Sequence, residues 1–81
     1  MDYNKELSEV QQALQHQLDK WGVQSHDDLR WLAILMEEVG EVSQELIKPL
    51  EEDWPKDELA LREELAQVAA VAIAWMENLY R

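Results

Sequence analysis

The chain has 81 residues and a mass of 9.5 kDa, with 18 acidic and 7 basic residues and a formal net charge of −11. This length predicts a single domain, residues 1–81, with little margin of stability. The charge argues against nucleic acid or an anionic membrane as a partner, because both would repel the chain. Cysteine is absent, which excludes disulfides and thiolate metal sites and fits a cytoplasmic protein. With no long apolar run, we expect neither a membrane span nor a secretory signal.

Three stretches rich in helix-forming residues predict an all-α fold of three helices. Gly22 is placed to cap the end of the first helix. Ser25 is placed to cap the start of the second, with Asp28 three residues later. We expect helix 1 near residues 3–20, helix 2 near 26–47 and helix 3 near 56–80.

The two prolines mark the predicted connection between helices 2 and 3. Pro49 and Pro55 bracket the acidic stretch 50–54, and a proline interrupts a helix because it lacks a backbone N–H. Pro55 suits the first position of helix 3 or the position before it.

Each predicted helix carries an apolar stripe with the period of an α-helix. The stripes of helices 2 and 3 are wide, because Leu32 and Met36 extend one and Met76 and Tyr80 extend the other. Three helices alone cover such faces poorly. We therefore expect an oligomeric helical bundle in which a partner subunit covers the excess.

Several glutamates fall on the apolar face of helix 2. On a helical wheel, Glu38 lies about 20° from Trp31, inside the stripe. Glu41 and Glu45 lie on the same arc, and Glu37 lies just outside it.

Helix 3 repeats the pattern with Glu64 inside its stripe and Gln67 on the flank. A carboxylate buried in an apolar stripe costs on the order of several kcal/mol unless it is protonated, paired or metal-bound. Local basic residues are too few to pair with these acids. Either the acids lie on a flank that faces water, or Glu38 and Glu41 opposite Glu64 and Gln67 converge on a hard divalent cation such as Mg²⁺.

The acidic residues resemble the motifs of a known family. Residues 37–41, EEVGE, match the E-E-x-x-E motif of MazG-like nucleotide pyrophosphohydrolases, and residues 64–67, ELAQ, stand where that all-α family has E-x-x-D. The 22 residues between the two motifs are similar to the family's separation. The segments 21–26 and 64–72 extend the resemblance, which covers roughly residues 20–79.

The resemblance implies a MazG-like fold, a dimer or tetramer, and an enzyme of house-cleaning type. The implied reaction converts a nucleoside triphosphate, (d)NTP, into the monophosphate and pyrophosphate. It also implies Mg²⁺, with Mn²⁺ as the alternative, held by Glu38, Glu41 and Glu64. Glu37 becomes a ligand or the residue that orients the attacking water, so that Glu37 and Glu38 are the predicted catalytic residues. Gln67 departs from the family's Asp, since an amide oxygen can ligate a metal but brings no negative charge.

Substrate contacts are predicted at helix ends and in the connections. An exposed indole can stack on a nucleobase, and a lysine can meet the leaving pyrophosphate, although each of these residues also has an ordinary surface or packing role. The residues are Trp21, Gln24, His26, Trp54, Lys48 and Lys56.

The sequence is also compatible with two other functions. A chain with this fold but without turnover would be a helical nucleotide-binding or protein-interaction module, an alternative that Gln67 favours. A carboxylate-bridged redox-metal bundle is less well supported, because neither histidine stands at ligand spacing from the acids.

Overall fold

The computed structural model describes residues 2–81, so Met1 of the predicted domain 1–81 lies outside the described part. Residues 2–81 form three α-helices and no strand, which confirms the predicted all-α fold of three helices. None of these helices has the length and apolar character that crossing a bilayer requires. The helices are α1 (Asn4–Trp21), α2 (Asp28–Glu52) and α3 (Glu58–Tyr80).

The central helix is α3. In the described part of the chain, α1 and α2 each pack against α3 and not against each other. α1 runs parallel to α3, since Glu9 and Arg62 pair near the starts of both helices. α2 runs antiparallel, since Trp31 near its start contacts Asn78 near the end of α3. This arrangement leaves an open space between α1 and α2 with α3 as its floor.

The ends of the first two helices partly match the prediction. Gly22 caps α1 as expected, with a φ of 72° and its N–H donating to the Leu18 carbonyl oxygen at 2.8 Å. The predicted Ser25 cap of α2 is wrong. Asp27 takes that role, because its extended backbone lets a carboxylate oxygen accept a hydrogen bond from the Arg30 backbone N–H at 2.8 Å.

The predicted connection at residues 50–54 begins too early, because α2 continues through Pro49 to Glu52 and only residues 53 and 54 of that stretch lie outside the helix. A proline inside a helix removes one backbone hydrogen bond, and here it does so in the last turns, where little helix follows. α2 ends at Asp53, which adopts a left-handed conformation with a φ of 55°.

The start of α3 lies later than predicted. Asp57 caps the helix, accepting a hydrogen bond from the Ala60 backbone N–H at 3.0 Å. Pro55 therefore lies in the connection, residues 53–57, and not at the first helical position.

A small cluster of buried side chains lies where α1 meets α3, and Trp31 of α2 is buried outside this cluster. Ala13 of α1 packs with Ala66 and Ala70 of α3, and the short side chains let the two helices approach closely. Val10 and Leu14 pack against this cluster. Large apolar residues elsewhere on the three helices are exposed, so the predicted stripes are only partly covered within one chain.

Candidate functional site

Five glutamates form what we call the acidic cluster, which lies on α2 and the facing part of α3. They are Glu37, Glu38, Glu41, Glu45 and Glu64. Because α2 runs antiparallel to α3, the carboxylates of its middle turns face the first half of α3. Glu38, Glu45 and Glu64 are partly buried, whereas Glu37 and Glu41 are exposed.

Burial and mutual repulsion act on the cluster together. Burial raises the pKa of Glu38 above its ordinary value of 4.5, and the negative charges of Glu64, Glu41 and Glu37 raise it further. Burial likewise raises the pKa of Glu64, with further contributions from Glu41 and Glu45. The carboxylates of α2 and α3 therefore interact electrostatically across the helix interface.

Within residues 2–81, no basic side chain forms an ion pair with the acidic cluster. Residues 2–81 form three ion pairs, and none includes a member of the acidic cluster. Arg62, the basic residue nearest in sequence to Glu64, is paired with Glu9 of α1 at 2.7 Å. The ion pairs of the described residues thus lie away from the acidic cluster.

The donor set of the cluster fits a hard divalent cation, because every donor atom is a carboxylate oxygen. The side chains are not converged in this conformation. Among residues 2–81, no three acidic or histidine side chains are arranged as a metal-binding group. The cluster therefore fits a divalent cation by the type of its donor atoms and by its charge, and not by the present geometry of its side chains.

Gln67, the fourth predicted ligand, lies against α1. Its Oε1 accepts a hydrogen bond from Gln17 Nε2 at 2.7 Å, and Gln17 is buried. The oxygen that would ligate a metal is thus already used in the packing of α1 on α3. Sequence reasoning did not identify Gln17, although its position seven residues after Val10 places it on the inner face of helix 1.

A cleft of about 280 Å³ occupies the space between α1 and α2. It brings Glu37 and Glu38 together with three of the six predicted substrate residues, Trp21, Gln24 and His26. The cleft is lined by Gln17, Trp21, Gln24, His26, Arg30, Trp31, Ile34, Glu37, Glu38 and Val71.

The polar groups of the cleft are held in place by local contacts. His26 Nε2 and Gln24 Oε1 form a hydrogen bond of 2.7 Å. The His26 ring meets the Trp31 ring edge to face, with centroids 5.0 Å apart. At the mouth, the Lys20 ammonium lies 4.6 Å from the centroid of the exposed Trp21 ring, so a base that stacks on that face must displace it.

The other three predicted substrate residues lie elsewhere. Lys48 is near the far end of α2, about 30 Å along the helix from Asp28. Lys56 pairs with Glu58 at 3.5 Å, and Trp54 is 63% exposed in the connection between α2 and α3. Within one chain, they do not join the cleft.

Two residues of this region are not among the predicted site residues. Arg30 lines the cleft and has no ion-pair partner among residues 2–81. Asn78 accepts hydrogen bonds from Trp31 Nε1 at 2.6 Å and from the His26 backbone N–H at 3.0 Å. A signal for Asn78 exists, because it lies about 20° from Val71 on a helical wheel and is thus a polar residue inside an apolar stripe.

Comparison of the chain with protein-family models, curated proteins and solved structures finds no match. The MazG-like resemblance therefore rests on the motif residues and their spacing.

Proposed function

We propose that this chain is a Mg²⁺-dependent nucleoside triphosphate pyrophosphohydrolase of MazG-like type that converts (d)NTP into (d)NMP and pyrophosphate. The observation that carries the proposal is the charge-coupled pair Glu38 and Glu64, which lacks a basic partner in the described residues. Glu38 also lines a cleft with polar and aromatic groups suited to a nucleotide. The E-E-x-x-E motif supports the same assignment.

In this proposal, Glu38, Glu41 and Glu64 hold the divalent cation. When bound, the cation neutralises phosphate oxygens and lets an anionic substrate approach a chain of net charge −11. A bound cation would also offset the burial and the repulsion that together raise the pKa values of Glu38 and Glu64. Gln67 is the weakest member of the predicted set, because Gln17 engages its oxygen.

Glu37 is the group proposed to act on water. Its exposed carboxylate lines the cleft beside Glu38 and can accept a hydrogen bond from a water molecule. The water oxygen attacks the α-phosphorus, the bond from that phosphorus to the α–β bridging oxygen breaks, and pyrophosphate leaves. The water proton passes to Glu37, and Arg30 on the same wall is placed to meet phosphate oxygens.

The shape of the chain supports a homo-oligomer, dimer or tetramer. Its accessible surface is 6319 Å², whereas a folded monomer of this mass exposes about 5,000 Å². Its radius of gyration is 14.1 Å, against about 11.7 Å for a compact domain of this length. A partner copy on the exposed apolar faces of α2 and α3 accounts for both differences.

We further propose a cytoplasmic location, since the substrates of such an enzyme are the free nucleotides of the cell and the chain has no cysteine that needs an oxidising compartment.

A second function, a nucleotide-binding or interaction module without turnover, is favoured by one observation. Gln67 stands in the second motif and serves the packing of α1 on α3 through Gln17. A chain that had lost catalysis would be free to use the position in this way.

Pyrophosphate release from a panel of ribo- and deoxynucleoside triphosphates, measured with and without Mg²⁺, tests the proposal. We expect Mg²⁺-dependent release by the wild type and background release by Glu38→Ala. Glu52→Ala is the matched control, because Glu52 is an exposed glutamate at the end of the same helix. Equal activity in wild type and Glu38→Ala would refute the proposed enzyme. Nucleotide binding without release at every Mg²⁺ concentration would favour the module.

A further inference from the structure

The last turn of α3 holds the connection between α1 and α2, residues 22–27, at two points. Asn78 Oδ1 accepts a hydrogen bond from the His26 backbone N–H at 3.0 Å and another from Trp31 Nε1 at 2.6 Å. Arg81 Nη2 donates to the carbonyl oxygen of Gln24. Both points lie on the backbone between the side chains of Gln24 and His26.

The connection depends on these bonds because it has no regular secondary structure of its own. Residues 23–26 follow the glycine cap of α1 and lie outside both helices, and Asp27 caps α2. A carbonyl oxygen has two lone pairs, and Asn78 uses its oxygen for two donors from different elements. One atom therefore joins α3, the start of α2 and the connection.

We propose that the last turn of α3, through Asn78 and Arg81, positions the connection so that Gln24 and His26 present their polar atoms to the nucleotide in the cleft. The inference rests on the proposed function, and it makes Asn78 and Arg81 positioning residues. The hydrogen bond between Gln24 and His26, and the edge-to-face contact of His26 with Trp31, both depend on where the backbone of residues 24–26 lies.

Two substitutions at Asn78 separate shape from hydrogen bonding. Asn78→Leu keeps a side chain of similar size and removes the acceptor, whereas Asn78→Asp keeps an oxygen at the same place. Arg81→Gln is a second variant at an exposed position, and it folds even if Asn78→Leu does not. Trp75→Phe is the control, because it removes the Trp75 Nε1 to Asp28 Oδ1 hydrogen bond between the same two helices without a contact to the connection.

The first measurement needs no ligand. Hydrogen exchange, followed residue by residue with NMR, reports the protection of the His26 amide. We expect protection to fall about tenfold or more in Asn78→Leu, to persist in Asn78→Asp and to be unchanged in Trp75→Phe. We expect Arg81→Gln to lower the protection of residues 24–26 by a smaller factor.

The second measurement is the division between KM and kcat with the most active triphosphate. We expect KM to rise about tenfold in Asn78→Leu, with kcat within about threefold of wild type, because the acidic cluster is untouched. Asn78→Asp should restore KM. Unchanged protection or unchanged KM in Asn78→Leu, or in Arg81→Gln if the former does not fold, would overturn the inference while the wild type stays active. A wild type that neither binds nor hydrolyses any nucleotide overturns the proposed function itself, and with it this role of Asn78.

Discussion

Gln17 and Gln67 are joined by a hydrogen bond of 2.7 Å between their side-chain amides, across the interface of α1 and α3. Gln67 stands three residues after Glu64, where the MazG-like motif has an acid. The second motif thus faces two neighbouring helices, because Glu64 lies toward α2 and Gln67 lies against α1. Gln67 therefore connects the packing of α1 on α3 with the set of residues in the candidate site.

The amide pair is predicted to stabilise the fold as a pair and not as two separate groups. Gln17→Leu or Gln67→Leu alone should lower the free energy of unfolding by about 1–3 kcal/mol, because each leaves a polar partner unsatisfied in the interface. The double variant should lose clearly less than both singles together. Urea unfolding of the four proteins measures the coupling, and strictly additive losses would contradict the pairing.

Gln67→Asp is predicted to raise turnover at a cost in stability. The shorter side chain loses its bond to Gln17, and its carboxylate supplies the negative charge that the last position of the second motif otherwise lacks. We expect pyrophosphate release to rise about tenfold, equivalent to about 1.4 kcal/mol, and the free energy of unfolding to fall by about 1–3 kcal/mol.

Gln67→Asn is the matched control for that experiment. It shortens the side chain by the same methylene group without adding charge, so it should lose stability and gain no activity. Equal rates in the Asp and Asn variants would show that charge at this position is not what limits the reaction.

Helix type and number could be read from the sequence because the three stripes have a clear helical period and few residues break them. The residue at which α2 ends could not be predicted in the same way. Pro49 argues locally against a helix, yet the carboxyl-terminal turns of α2 tolerate it, and the left-handed Asp53 is what ends the helix. Local rules identify a break in hydrogen bonding, and they do not say whether the helix continues past it.

The acidic cluster could be placed from the wheel because Glu38 and Glu64 lie inside apolar stripes, and burial on both helices follows. The contact that Gln67 makes could not be predicted from the wheel, because a residue on the flank of α3 can face either α1 or α2. Only the packing of α1 on α3 decides between them. Asn78 was missed for a related reason: its role depends on a backbone N–H more than fifty residues earlier in the chain.

Met36→Glu is predicted to dissociate the proposed oligomer. Met36 is 55% exposed on an apolar face of α2 that also carries the exposed Leu32 and Val39. A charge at the centre of a covered face costs desolvation free energy that the partner cannot repay. Sedimentation velocity should show the monomer mass of 9.5 kDa for the variant and a larger mass for the wild type.

Gln44→Glu adds the same charge to an exposed polar position on α2 and should leave the oligomer intact. If wild type and Met36→Glu sediment alike, this face of α2 is not the interface between copies.

The raised pKa values of Glu38 and Glu64 predict how stability depends on pH. The folded chain holds protons on these carboxyls at pH values where the unfolded chain, with pKa near the ordinary 4.5, has already lost them. The free energy of unfolding contributed by this pair is therefore fully present below pH 4.5 and is lost as the pH rises through the raised values.

Glu38→Gln removes the part of that dependence that comes from Glu38, so the variant should be more stable than wild type at pH 7 and equal to it near pH 4. Glu52→Gln, at an exposed position of the same helix, should show no such difference. Mg²⁺ at pH 7 should reverse the order: at a concentration 100-fold above its dissociation constant, a cation stabilises the wild type by about 2.7 kcal/mol, and Glu38→Gln lacks a ligand for it. The midpoints of urea unfolding at both pH values, with and without Mg²⁺, test this prediction. A Glu38→Gln variant that matches the wild type in all four conditions would show that Glu38 is neither a repelled charge nor a metal ligand.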